Sequence, residues 1–245
     1  MYNYKMTISY DGTRYNGWQR QGNTDNTIQG KLNEIVSKYL DEDVDVAGSG
    51  RTDRGVHAKG QVASFKVKKQ IDTERFVKEI NTYLPLDIRV LDMKEVDERF
   101  HARLSALSKT YKYVIDNGEI LDVFSRKYAY RFADKLNVEK MRTAARLLLG
   151  TNDYISFCGN KHFKKSSIRT VTDIDISEDN GKVIIAYTGD GFLQNMVRIM
   201  TGTLIEVGVG KRNVDSMKEI INAKSRDAAG FMAPPEGLFL CEVKY

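Results

Sequence analysis

The chain has 245 residues, 41% of them apolar, enough for a packed core in one large domain or in two of about 100 to 150 residues. Lys and Arg total 38 against 33 Asp and Glu, and the net charge of +5 leans toward an anionic partner without proving one. Two cysteines, Cys158 and Cys241, cannot build a disulfide framework, Met1-Tyr2-Asn3-Tyr4-Lys5 lacks the apolar core of a secretory signal, and no window reaches the roughly 20 apolar residues of a membrane span; a soluble protein in a reducing cytoplasm is expected.

Met6, Ile8 and Tyr10 alternate as a strand does, and Ile28, Leu32, Ile35, Val36 and Tyr39 then recur at helical spacing. A Gly-rich stretch from Gly48 to Ala58 leads into a strand from Gln61 to Val67. The next helix has Thr73 as its cap, turns Phe76, Val77, Ile80 and Leu84 to the core and ends at Pro85, and Ile88 to Val96 is again a strand. Tyr111, Tyr113 and Ile115 restart the plan, followed by a helix capped by Asn137 with Val138, Met141, Ala145 and Leu148 on one side. Strands around Ile174 to Ile176 and from Val183 to Tyr187 come next. A mixed segment from Phe192 to Val209, a helix capped by Asn213 and a closing strand from Leu238 to Val243 complete the chain. This doubled β-α-β-β-α-β order predicts an α+β protein of two ferredoxin-like halves, residues 1–105 and 106–245, with antiparallel sheets joined around a central cleft.

The stretch Gly48-Ser49-Gly50-Arg51-Thr52-Asp53-Arg54-Gly55-Val56-His57-Ala58 holds the densest chemistry. Glycines let a backbone approach a ligand closely, and a carboxylate between two guanidiniums sits in a field that favours its charged form. The same residues would also serve as a plain hairpin connection. As a phosphate cradle the loop is poorly placed, because it runs into a strand and lacks the helix N-terminus such sites use. His57, His101, His162 and the two cysteines show no metal-ligand spacing, and there is no Walker loop or dinucleotide fingerprint.

Those eleven residues resemble, position for position, the active-site signature of the TruA family of tRNA pseudouridine synthases. Phe100-His101-Ala102-Arg103, Ser108-Lys109-Thr110-Tyr111-Lys112-Tyr113, Phe192-Leu193-Gln194-Asn195-Met196-Val197-Arg198 and Glu236-Gly237-Leu238 extend the resemblance in family order. Thr110 departs from it, since relatives often carry a basic residue before the tyrosine. The resemblance implies isomerisation of uridine to pseudouridine at positions 38 to 40 of the tRNA anticodon stem-loop, by a homodimer and with no metal, nucleotide or redox cofactor. Asp53 is then the catalytic carboxylate, either as nucleophile at C1′ or as base toward the C2′ proton. Arg198 would approach Asp53 across the cleft and hold it as the anion, and Tyr111 would stack on the uracil and take part in moving the C5 proton. Substrate contacts fall to Tyr111, Arg51, Arg54, His57 and Arg103. Arg14, Arg20 and the run Lys161-His162-Phe163-Lys164-Lys165 with Arg169 are further cationic candidates, although a charge run is more often a solvated loop.

Two other readings remain open at this point. One is a diverged synthase acting on another RNA. The other is a non-catalytic RNA-binding module, because ferredoxin-like sheets also make RRM domains; Lys59-Gly60-Gln61-Val62-Ala63-Ser64-Phe65 keeps the opening Lys-Gly of the RNP1 pattern but lacks its central aromatics.

Overall fold

In the computed structural model, which describes residues 1–160 and 162–245, the chain divides into two units, Met1–Leu107 with Phe239–Tyr245, and Ser108–Leu238. The described residues form an α+β protein of ten strands and five α-helices. In the first unit, β1 (Tyr2–Tyr10) alternates as expected. Tyr4, Met6, Ile8 and Tyr10 are buried, while Lys5, Thr7 and Ser9 keep partial access to water. α1 (Ile28–Leu40) is capped by Thr27, whose Oγ1 accepts the Gly30 N–H at 3.1 Å. The short β2 (Ala47–Gly48) pairs antiparallel with β3 (His57–Val67), and β3 pairs antiparallel with β1. α2 (Thr73–Tyr83) and β4 (Ile88–Val96) follow, and β4 takes the other edge of β1. The order β4-β1-β3-β2 is that of a ferredoxin-like sheet.

Phe76 of α2 packs 6.1 Å from Phe65 of β3 and meets Tyr39 of α1 edge-on at 5.4 Å, so both helices share a core with the sheet. The cap of α2 is Asp72 and not Thr73. Its carboxylate, one residue earlier, accepts the Arg75 N–H at 3.1 Å, and Thr73 already lies in the first turn.

In the second unit β5 (Ser108–Asp116) is joined by a short parallel partner, β6 (Tyr130–Arg131). α3 (Val138–Arg146) starts at Asn137, whose Oδ1 accepts the Lys140 N–H at 3.0 Å. β7 (Gly150–Asp153), β8 (Ile168–Asp179) and β9 (Lys182–Gly189) then build an antiparallel run in the order β5-β9-β8-β7. The mixed segment resolves into α4 (Met196–Gly208), which buries every residue but Glu206 and packs against α3. A helix buried on nearly every side, with Arg198, Thr201 and Thr203 among the buried residues, shows no single apolar stripe, and spacing alone leaves it undefined. α5 (Ser216–Ala223) begins later than the Asn213 cap predicts. The Asn213 carbonyl accepts the Ser216 hydroxyl at 2.6 Å and its N–H at 3.2 Å, so a turn precedes the helix.

β10 (Leu238–Lys244) closes the chain. Phe239 and Leu240 pair in parallel with His57 and Ala58 of β3, so this strand, placed by sequence order with the second half, falls with the first unit. A strand's sequence pattern reports its pleat, not its neighbour. Among the described residues no helix is long and apolar enough to cross a membrane.

Candidate active site

Residues 49–56 hang between β2 and β3, and buried polar groups fasten them from below. The Tyr10 hydroxyl lies 2.8 Å from Thr52 Oγ1, and Gln61 Nε2 donates to the Gly50 carbonyl at 3.0 Å and to the Tyr10 oxygen at 3.4 Å. Gln61 Oε1 accepts the Ser49 hydroxyl at 2.7 Å. From the side, the backbone N–H of Trp18 donates to the Thr52 carbonyl at 3.0 Å. A methyl group on Gly48 would come within 2.5 Å of the Trp18 ring, so β2 can lie against the indole only as glycine. Burial pushes the Tyr10 phenol up to about 12, and it works as a neutral hydroxyl at any ordinary pH. Tyr10→Phe would leave Thr52 and Gln61 short of a partner in a dry site, and a loss of about 1 to 3 kcal/mol in chemical denaturation is expected.

Asp53 is half-buried in the middle of this loop, and its backbone carbonyl accepts the Val56 N–H at 3.1 Å. Arg51 and Arg54, on either side, are exposed. Arg51 is nevertheless oriented. Its Nε donates to Gln19 Oε1 at 3.0 Å, Gln19 Nε2 donates to Gln29 Oε1 at 2.6 Å, and the buried Gln29 donates to the Val46 carbonyl at 3.0 Å. A chain of amides thus runs from the core of the unit to a guanidinium at its surface.

His57 sits beneath the loop. It is 1% exposed, stacks on Phe239 at 4.8 Å, and its Nδ1 accepts the Gly12 N–H at 3.1 Å with Asp11 Oδ1 3.2 Å away. A direct substrate contact, which the resemblance implies, is not what so covered a ring offers; its contacts tie the strand bearing the loop to the turn after β1. Arg103 is exposed on the turn after β4, where its N–H donates to His101 Nδ1 at 3.0 Å, and the neighbouring Ala102 is pinned by Ser64 Oγ at 3.0 Å and by the Tyr245 hydroxyl at 2.8 Å.

The second unit holds Tyr111 and Arg198. Tyr111, on β5 opposite Tyr187 of β9, is 8% exposed and meets Phe192 edge-to-face at 5.3 Å and 83°. Arg198 lies in the first turn of α4, also 8% exposed, with Nε donating to the Ala233 carbonyl at 2.7 Å; the Ala233 N–H returns a bond to the Arg198 carbonyl at 3.1 Å. Its charge also lowers the phenol pKa of buried Tyr113, though burial and Glu236 raise it more. The structure therefore gathers Arg51, Asp53 and Arg54 on one fastened loop with His57 behind it, and holds Tyr111 and Arg198 on elements of the second unit.

The other cationic candidates are less distinctive. Arg14 is engaged with Asp87, its NH2 2.7 Å from Oδ2, and Arg169, at the start of β8, donates to the neighbouring Ser166 and Ile168 carbonyls. Arg20, His162, Lys164 and Lys165 are exposed, and Lys161 lies outside the described residues. Among the described residues no group of three or more His, Cys, Asp or Glu side chains could hold a metal ion. Sequence reasoning missed Tyr10, Gln61, Gln19 and Gln29, and it quoted Phe192 within the Arg198 block without a role. Gln61 alone carried a signal, as an amide among the apolar residues of a buried strand.

Comparison with known proteins places this arrangement. A family model described as tRNA pseudouridine synthase matches residues 6–104 and 144–245. A protein named tRNA pseudouridine synthase A 2, from Bacillus cereus, is 43% identical over 245 residues, covering 100% of both chains. Proteins named tRNA pseudouridine synthase A from Acetivibrio thermocellus and tRNA pseudouridine synthase A 2 from Clostridium perfringens are 43% and 44% identical over the same 245 residues, again covering 100% of each chain. With the family model and full-length relatives in agreement, the chain belongs to the tRNA pseudouridine synthase family.

Proposed function

We propose that this chain isomerises uridine to pseudouridine in tRNA, at positions 38 to 40 of the anticodon stem-loop. The observation that carries the isomerase reading is end-to-end identity of 43% with a protein named tRNA pseudouridine synthase A 2, in a chain whose Asp53 loop is fixed by buried hydrogen bonds. The C–N glycosidic bond breaks, the base turns, and it reattaches through C5, with no atom gained or lost. Asp53 acts at the ribose, either attacking C1′ or taking the C2′ proton. Tyr111 stacks on the uracil and assists at the C5 proton, and Arg198 supplies a positive charge of the catalytic set. Residues 1–105 bring Asp53 and residues 106–245 bring Tyr111 and Arg198.

Reaching a base in a stem costs a few kcal/mol of unstacking, which phosphate contacts offset. Arg51, Arg54 and Arg103, all exposed, are the side chains assigned to that work. Arg51, oriented through Gln19, faces the backbone beside the target. His57 serves from beneath, holding the loop rather than the RNA. The protein acts in the cytoplasm as a homodimer, so that one tRNA can lie across two copies.

The test uses a tRNA transcript tritiated at uridine C5 and a second transcript with cytidine at positions 38 to 40. Tritium release from the first and none from the second is the expected result. Equal release from both would move the target elsewhere in the RNA, and binding of either without release would favour the RNA-binding module.

A further inference from the structure

We infer that Phe192 is a positioning residue for this reaction, setting the plane of the Tyr111 ring against which the uracil stacks. The inference rests on the isomerase reading and extends it to a side chain with no contact to the ribose assigned.

Aromatic pairs prefer edge-to-face or offset geometry, and Tyr111 and Phe192 adopt the first, with centroids 5.3 Å apart and planes at 83°. Such a contact fixes a ring's rotation as well as its place, which an aliphatic neighbour of similar bulk does not. A stacking platform needs that rotation fixed, because a base lying on it is oriented by the plane beneath.

Phe192 is itself held from both sides. On one side, Asp190 and Thr170 exchange two bonds: the Asp190 N–H donates to the Thr170 carbonyl at 3.0 Å, and the Thr170 N–H to Asp190 Oδ1 at 3.0 Å. They lock the turn leaving β9 to the start of β8. On the other, the Gln194 carbonyl accepts the Gly159 N–H at 2.8 Å and the Leu193 carbonyl accepts the Met196 N–H at 3.1 Å, fixing the entry to α4. The Phe192 ring reaches over Gly189, where an added methyl group would stand 3.4 Å from its tip, and Gly189 is opposite Lys109, two residues before Tyr111 on β5. The backbone of Tyr111 is fixed independently by its pairing with Tyr187, whose hydroxyl lies 2.9 Å from Thr201 Oγ1. Strand pairing sets where Tyr111 stands, and Phe192 sets how its ring faces.

Phe192→Leu and Phe192→Tyr separate this role from packing. Single-turnover tritium release, tRNA affinity and the thermal midpoint are measured for each. The leucine variant should slow release by about tenfold or more with affinity and midpoint near wild type, and the tyrosine variant, which keeps the ring, should stay within about twofold. A leucine variant releasing at the wild-type rate overturns the inference. So does a slow leucine variant whose affinity or midpoint falls in step and which tyrosine does not restore. Wild type that releases nothing brings down the isomerase reading first, and the positioning role with it.

Discussion

Asp53→Asn should abolish turnover while leaving the fold and RNA binding in place. The substitution keeps the size of the side chain and removes the one property the chemistry needs, a carboxylate able to attack or to accept a proton. Loss of such a group costs about a thousandfold or more, and no neighbouring carboxylate on the loop can substitute. The loop should survive, because backbone and neutral side-chain hydrogen bonds that the substitution leaves in place fasten it on both sides of Asp53. Val56 binds the Asp53 backbone carbonyl, Trp18 and Tyr10 hold Thr52, and Gln61 holds Gly50. Circular dichroism unchanged from wild type, tRNA affinity within a few fold, and tritium release below detection are expected together. Release within about tenfold of wild type would mean that Asp53 has been given the wrong role.

The second large effect is expected in the second unit, at Gly202 in the middle of α4. In an exposed helix Ala would be preferred to Gly there by about 1 kcal/mol. Here a β-carbon would come within 1.9 Å of the Phe231 carbonyl oxygen and 2.8 Å of its carbon, and both are backbone atoms that cannot turn away. The segment that would have to move is tied to α4 by the Gly230 N–H on Thr203 Oγ1 at 2.9 Å, by the Phe231 N–H on Glu206 Oε1 at 3.2 Å and by the reciprocal bonds between Ala233 and Arg198. Gly202→Ala should therefore cost about 2 to 3 kcal/mol, lower the melting midpoint by about 5 to 10 °C, and slow tritium release in the surviving folded protein as Arg198 loses its anchor. A variant as stable as wild type and fully active would show that the segment yields without disturbing the arginine.

Local pattern carried much of the fold. Period-two runs such as Met6-Ile8-Tyr10 and Tyr111-Tyr113-Ile115 are buried on alternate positions, and Asn137 caps α3 as its side chain predicts. What was illegible depended on partners distant in the chain. The neighbour of β10 is fixed by pairing to His57 and Ala58, far earlier in the chain, and no residue within Leu238–Lys244 announces it. α4 was hidden because burial on nearly every side leaves no single apolar stripe. In the candidate site, the Asp53 loop stood out because Gly, Arg and Asp crowd into eleven residues, and the resemblance alone singled out Tyr111 and Arg198. The supports did not stand out. Tyr10, Gln61 and Gln29 read as ordinary strand and helix residues until burial and hydrogen bonding show them holding the loop and Arg51. His57 is the converse: the resemblance implies a contact residue, and only the structure shows the ring to be 1% exposed and bonded to the turn after β1.

Purified protein incubated with unmodified tRNA, the RNA then being digested to nucleosides and separated, gives the most direct answer about what the chain does. Pseudouridine appearing at the expense of uridine, with no change in mass and with no cofactor added, is the expected result. Uridine unchanged in tRNA that the protein demonstrably binds would contradict the isomerase reading and leave a fastened, basic loop whose purpose is to hold RNA.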